Sequence, residues 1–168
     1  GCLGSGSTFS LSGEARFDDN RAGFMGGAIS VYGNSDVFGS GDTTYARNIA
    51  LDSAGAISVL NNCTISWSGK TRFSSNTAEN SNGGALVVQG RSQAFWSGAA
   101  TFISNSARDG AGGAMYLTED STASWKSQAT FTRSIAGTGG AVYAENNCTA
   151  TFDGRNTFDD NVAKSNQG

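Results

Sequence analysis

The chain has 168 residues, with 24 glycines, no proline, no histidine, 15% charged residues and a formal net charge of −3. Its mild acidity and singly scattered lysines and arginines exclude the basic footprint of a nucleic-acid binder and a basic stripe for anionic lipid. Apolar runs of only a few residues exclude a membrane-spanning segment, and the regular recurrence of apolar residues excludes disorder.

Gly1 to Ser10 is polar and glycine-rich and carries no signal-peptide pattern, so the chain reads as mature or as an excised part of something longer. From there one pattern recurs six times with a period of 27 to 29. Each copy opens on an aromatic: Phe17, Tyr45, Phe73, Phe102, Phe131 and Phe158. Three residues on stands Asn20, Asn48, Asn76, Asn105, Ser134 or Asn161, and five residues on an alanine without exception (Ala22, Ala50, Ala78, Ala107, Ala136, Ala163). A glycine pair and an Ala-aliphatic step follow, as in Gly26-Gly27-Ala28-Ile29 and Gly83-Gly84-Ala85-Leu86, with Ala54-Gly55-Ala56-Ile57 as the degenerate copy. Alternation then runs through Val31, Val59, Val88 and Leu117. A third stretch alternates as Cys63, Ile65, Trp67; Ala94, Trp96; Ala123, Trp125; and Cys148, Ala150, Phe152. Phe9 and Leu11 fill these places in the first copy, and Val37 and Phe38, displaced by one residue, in the second.

Period-2 alternation in short runs bounded by Gly, Asn, Asp and Ser predicts half-buried strands, and no window sustains helical spacing. Three short strands per coil of about 28 residues predict an all-β solenoid, a single-stranded parallel β-helix of about six coils and roughly 30 Å, in one domain over 1–168. Like positions then stack on like positions. The opening aromatics and the Trp67, Trp96, Trp125, Phe152 column become interior ring ladders. The Asn column becomes an amide ladder at a turn. The alanine five residues on is a small inward residue, and the second glycine of each pair supplies either a positive φ or room at a corner. The row Ala28, Ala56, Ala85, Ala114, Ala141 has two readings: an outward face for lateral packing, or corner filler where the strand bends.

Cys63 and Cys148 share a column with Ser7, Ser35, Ser92 and Ser121. Three coils, roughly 14 Å, separate them, which is too far for a disulfide. Both read as small inward thiols, and Cys2 could pair only outside this chain. Asn62-Cys63-Thr64 and Asn147-Cys148-Thr149 are N-glycosylation acceptors, and inward cysteines put Asn62 and Asn147 outward.

The aromatic-plus-two column pairs Asp19 with Arg47 and Arg133 with Asp160 as interstrand ion pairs. Glu119, Asp120 and Glu145 form the one acidic cluster spanning neighbouring coils, without a base beside it, since Lys126 lies beyond the next turn. Without histidine, and with no carboxylate pair singled out by position, the expectation is a non-enzyme with no cofactor and no metal. A flat ice-binding face would need an unbroken Thr ladder, but Arg16 and Arg72 interrupt Thr44, Thr101, Thr130 and Thr157.

The paired motifs, Phe-x-x-Asn (Phe17/Asn20, Phe73/Asn76, Phe102/Asn105, Phe158/Asn161) and Gly-Gly-Ala-aliphatic, resemble the repeats of the chlamydial polymorphic outer-membrane proteins. Similar repeats occur in surface proteins of algae and protists, which the Trp67-Ser68-Gly69 and Trp96-Ser97-Gly98 versions resemble. Tyr45/Asn48 varies the first motif and Phe131/Ser134 breaks it, and nothing resembles the autotransporter barrel that follows such a passenger in the bacterial family. The resemblance implies a right-handed β-helix at a cell surface, secreted and used in adhesion or as a stalk. Its partners would be neighbouring β-helix domains or chains, end to end or laterally, and cell-surface glycans. A structural filament subunit is the second reading, and a carbohydrate-binding or polysaccharide-processing β-helix the third. At the ends, Leu3 falls in the Val31 column and Gly168 in the Gly27 column, and no cap is visible. The segment therefore reads as part of a longer rod.

Overall fold

A computed structural model describes residues 1–164 and contains strands and turns without a helix; Gly168 lies outside the described residues. Every strand pairing is parallel, and each of four sheets takes one strand from each of six successive coils. The aliphatic sheet comprises Cys2–Gly4, Ile29–Tyr32, Ile57–Leu60, Leu86–Gln89, Met115–Thr118 and Val142–Ala144. The tryptophan sheet comprises Thr8–Leu11, Asp36–Gly39, Thr64–Trp67, Gln93–Trp96, Thr122–Trp125 and Thr149–Phe152. The phenylalanine sheet comprises Ala15–Asp18, Thr43–Ala46, Thr71–Ser74, Ala100–Ile103, Ala129–Thr132 and Asn156–Asp159. The fourth, the alanine sheet, comprises Arg21–Ala22, Ile49–Ala50, Thr77–Ala78, Ser106–Ala111, Ile135–Thr138 and Val162–Ala163.

The coil therefore carries four strands, not three. Three of the four sheets match the three apolar stretches. The fourth has strands mostly two residues long, too short for an alternation to register. Within it the invariant alanines face inward, and Ala50, Ala78, Ala107 and Ala136 are fully buried.

The predicted columns are the observed registers. Phe17, Tyr45, Phe73, Phe102, Phe131 and Phe158 stack with centroids 4.6–4.9 Å apart and rings within 10° of parallel. Trp67, Trp96, Trp125 and Phe152 form a second stack at 5.5, 4.9 and 4.5 Å. The two stacks meet edge to face around the corner between their sheets, as in Trp125–Phe131 at 5.6 Å and 81°. Both arrangements suit the ring quadrupole. Phe38 departs from the expectation. The register runs without displacement, so Val37 lies opposite Ile65 and Gly39 opposite Trp67, while Phe38 points outward and is 44% exposed. A side chain at Gly39 would overlap the Trp67 indole, which explains a glycine in a tryptophan column.

From Asn20 to Asn105 the Asn column is a continuous amide ladder. Asn20, Asn48 and Asn76 each donate Nδ2 to the Oδ1 of the next coil's asparagine, at 2.8, 3.0 and 3.0 Å. Each Oδ1 so used also accepts the backbone N–H of the preceding coil's asparagine. Asn48, Asn76 and Asn105 further donate Nδ2 to the carbonyls of Phe17, Tyr45 and Phe73. At Ser134 the ladder breaks, and its hydroxyl is buried without a partner.

The two glycines of each pair have different jobs. The first (Gly26, Gly83, Gly112, Gly139) has φ between +60° and +69°, and Ala54 takes the same left-handed conformation at φ +60°. The second keeps the ordinary sign of φ, but a Cβ at Gly27, Gly55, Gly84 or Gly113 would overlap the carbonyl of the next coil's glycine. The room-at-a-corner reading holds for it. That corner also decides the alanine row. Ala28, Ala56, Ala85 and Ala114 are buried in the core beside Ile29, Ile57, Leu86 and Met115, so the strand bends there and the row is filler rather than an exposed packing face.

Candidate functional site

Two outer features carry the polar side chains singled out in the sequence. The first is the ridge where the aliphatic sheet turns into the tryptophan sheet. Five of its six turns place two consecutive residues at φ +54° to +70°: Gly33-Asn34, Asn61-Asn62, Gly90-Arg91, Glu119-Asp120 and Asn146-Asn147. Asparagine and glycine tolerate that region best, which accounts for their abundance here. Asn62 and Asn147 occupy the second turn position, three coils apart, and both are exposed. Their amides donate along the ridge, Asn62 to Asn34 Oδ1 at 2.7 Å and Asn147 to Asp120 Oδ1 at 2.8 Å.

Directly after each acceptor asparagine the chain turns inward. Cys63 is buried, Cys148 is half-buried, and both thiols are free. They belong to a ladder the sequence showed only as a column. Ser35 Oγ accepts the N–H of Ser7, Cys63 Sγ that of Ser35, Ser92 Oγ that of Cys63, Ser121 Oγ that of Ser92, and Cys148 Sγ that of Ser121. Cys63 donates its own proton to the Leu60 carbonyl at 3.0 Å. Burial pushes both thiols above the ordinary cysteine range, which favours the protonated, hydrogen-bonding form over the thiolate.

The second feature is a groove on the outer face of the aliphatic sheet. Strict alternation puts Ser58, Val87 and Tyr116 outside the solenoid, yet they are 0%, 2% and 9% exposed. They are covered because the segments joining the alanine sheet to the glycine pairs fold over that face and stack on one another. Asp52 N–H bonds to the Phe24 carbonyl, Ala54 N–H to Asn82, and Gly83 N–H to Ala111, at 2.9–3.0 Å. Asn82 Oδ1 accepts the Ala111 N–H at 2.8 Å and fixes the wall further. Val87 and Tyr116 pack with Ala54 into an apolar cluster separate from the main core.

The opposite wall holds Gln89, Thr118, Glu119, Glu145 and Asn146. Gln89 donates to Glu119 at 3.0 Å, Asn146 to Thr118 at 3.1 Å, and the Tyr116 hydroxyl to Glu145. Burial, and the Glu145 carboxylate that accepts its proton, push Tyr116 up to about 12. The open space between the walls is about 410 Å³ and runs from Met25 to Asn146.

The structure thus divides the sequence's acidic cluster. Glu145 lines the groove, Asp120 faces a wider hollow of about 610 Å³ along the ridge with Asn34, Asn61, Asn62, Gly90 and Arg91, and Glu119 stands between the two and lines both. No group of three His, Cys, Asp or Glu side chains among the described residues is placed to hold a metal ion. Lys126 pairs with Asp153 at 2.6 Å, on another face. Asp19 and Arg47 form the expected interstrand pair, with two contacts of 2.7 Å, and the guanidinium holds the Asp19 carboxyl below its ordinary range. Arg133–Asp160 is not among the ion pairs of the described residues. The interrupted Thr/Arg column is in register, Arg16 through Thr157, on the outer face of the phenylalanine sheet.

The fold and these surfaces define a parallel β-solenoid whose cross-section is filled with side chains. Comparison with protein-family models, curated proteins and solved structures found no match.

Proposed function

We propose that this chain is a non-catalytic β-helical rod displayed outside the cell, adhesin-like or stalk-like, presenting its turns and N-glycans to partners. The observation that carries this reading is the pair of acceptor asparagines. Asn62 and Asn147 are exposed at equivalent turns on one ridge, each followed by a residue turned inward. A glycan on either would project from the ridge without touching a sheet. The interior supports a mechanical role, since stacked rings, the amide ladder and the Ser/Cys ladder all run along the rod. The paired repeat motifs support a place among surface proteins with polymorphic outer-membrane repeats.

Mass analysis of the protein from its native source, before and after enzymatic removal of N-glycans, tests the reading. The expected result is a glycan on Asn62 and Asn147; unmodified asparagine at both would remove the extracellular argument. Electron microscopy of the same material separates isolated surface rods from periodic fibres, and fibres would favour a filament subunit. Turnover of an acidic polysaccharide that is lost in Glu119→Gln or Glu145→Gln would overturn the non-catalytic assignment.

A further inference from the structure

The outer groove of the aliphatic sheet has a charge pattern that the rod's architecture does not require. Its carboxylates are Asp52, Glu119 and Glu145, and no lysine or arginine lines it. None of the three belongs to an ion pair of the described residues. Glu119 and Glu145 instead take hydrogen bonds from the neutral donors Gln89 and Tyr116, which orient the carboxylates without neutralising them. The cation Arg91 shares the neighbouring hollow with Glu119 but forms no ion pair with it.

The floor is apolar where Val87 and Tyr116 lie, and the wall from Ser53 to Asn82 is itself hydrogen-bonded through the Asn82 N–H to Ser53 Oγ. The groove therefore exists before any ligand arrives. It spans four coil-to-coil steps, from the Met25 segment to Glu145, or about 19 Å at ~4.8 Å per step, which is the length of about six residues of extended chain.

We propose that this groove binds an extended segment of another protein carrying lysine or arginine residues, laid along the rod axis. The cationic side chains meet Asp52 near one end and Glu119 and Glu145 near the other, while aliphatic stems cover Val87 and the exposed edge of Tyr116. A sugar chain fits less well. The one aromatic ring of the lining, Tyr116, is 9% exposed and stacked on Tyr143, with centroids 5.9 Å apart, so it offers little face for a pyranose. The inference does not depend on where the rod is displayed.

The test uses the 168-residue chain and a fluorescein-labelled heptapeptide of alternating lysine and serine, followed by anisotropy at low and moderate salt. Binding is expected to weaken with salt. The variant Asp52→Asn/Glu119→Gln/Glu145→Gln keeps side-chain size and the acceptor for Tyr116. It should raise the dissociation constant roughly tenfold, the sum of three partly exposed charge contacts. A control variant, Glu14→Gln/Asp36→Asn/Asp159→Asn, removes the same net charge elsewhere and should leave binding within about twofold of the parent. Circular dichroism verifies that both variants keep the parent's strand signal. An equal loss in both variants would reduce the effect to net charge and overturn the site. So would absence of peptide binding, or a neutral oligosaccharide displacing the peptide.

Discussion

Replacing Asn76 by serine tests the amide ladder at its best-formed rung. Asn76 is fully buried and its side chain makes four hydrogen bonds. Its Oδ1 accepts the N–H and the Nδ2 of Asn48, both at 3.0 Å, and its Nδ2 donates to the Tyr45 carbonyl and to Asn105 Oδ1, both at 3.0 Å. A serine hydroxyl is too short to span these partners, as Ser134 demonstrates two coils on. The substitution leaves two buried donors of Asn48 without an acceptor. At about 1–3 kcal/mol each, the loss is about 2–6 kcal/mol. The three stacked tryptophans report unfolding by fluorescence in guanidinium chloride. With a slope near 4 kcal/mol/M, the midpoint should fall by about 1 M. The reciprocal change, Ser134→Asn, lets the introduced amide reach the Phe102 carbonyl and Asn161 Oδ1, and should raise stability by about 1–2 kcal/mol. A loss below about 1 kcal/mol for Asn76→Ser would refute the claim that the ladder holds the turn together.

The glycine pair gives an ordering test. Gly84→Ala forces a Cβ into the Gly113 carbonyl of the next coil and should cost about 3 kcal/mol. Gly83→Ala brings a Cβ onto the Leu86 carbonyl within its own coil, but Ala54 already holds a Cβ at the equivalent left-handed position, so it should cost about 1–2 kcal/mol; thermal melts of the two variants check the order. In the Ser/Cys ladder, Cys63→Ser preserves the acceptor for the Ser35 N–H and should stay within about 1 kcal/mol, while Cys63→Ala orphans that N–H and should cost about 1–3 kcal/mol by the same unfolding assay. Tyr116 is raised above its ordinary value in the folded chain, so folding holds its proton more tightly than the unfolded chain does. Its contribution is complete below about pH 10 and is lost as pH rises toward 12, so Tyr116→Phe should flatten the decline of the unfolding midpoint over that window.

Columns were the legible part of this fold, because a residue that recurs once per coil announces its stacking partner. The ring ladders, the asparagine ladder and the inward alanines all follow from that rule. What lay between the columns was harder. The alanine sheet escaped as a separate strand because two residues carry no periodicity. Phe38 misled because a bulky aromatic beside a tryptophan column suggested a slipped register, when Gly39 was the true occupant. The Ser/Cys column was visible, but its hydrogen bonding was not. A small hydroxyl or thiol at an inward position in every coil is a usable signal for such a ladder. The groove was least legible. Alternation marked Val87 and Tyr116 as outward, and nothing in the connecting segment 79–82 or in the long strand Ser106–Ala111 revealed that the chain folds back over that face. The acidic cluster was found from its spacing, yet only the structure separates Glu145 from Asp120, with Glu119 between them.

The direction of the hydrogen bonds has a mechanical consequence. In every sheet they connect one coil to the next, so they run along the rod, while the covalent chain runs around its girth. Load applied along the rod is shared at each coil boundary among four hydrogen-bonded sheets, the phenylalanine stack and the side-chain ladders, with the tryptophan stack added from Trp67 onward. Load applied across the rod meets covalent backbone in every coil. The molecule is therefore a stiff hoop in cross-section and a zipper of many teeth along its length. Among the boundaries that carry both ring stacks, the weakest under axial tension should be the one at Ser134, where the asparagine ladder is missing a rung.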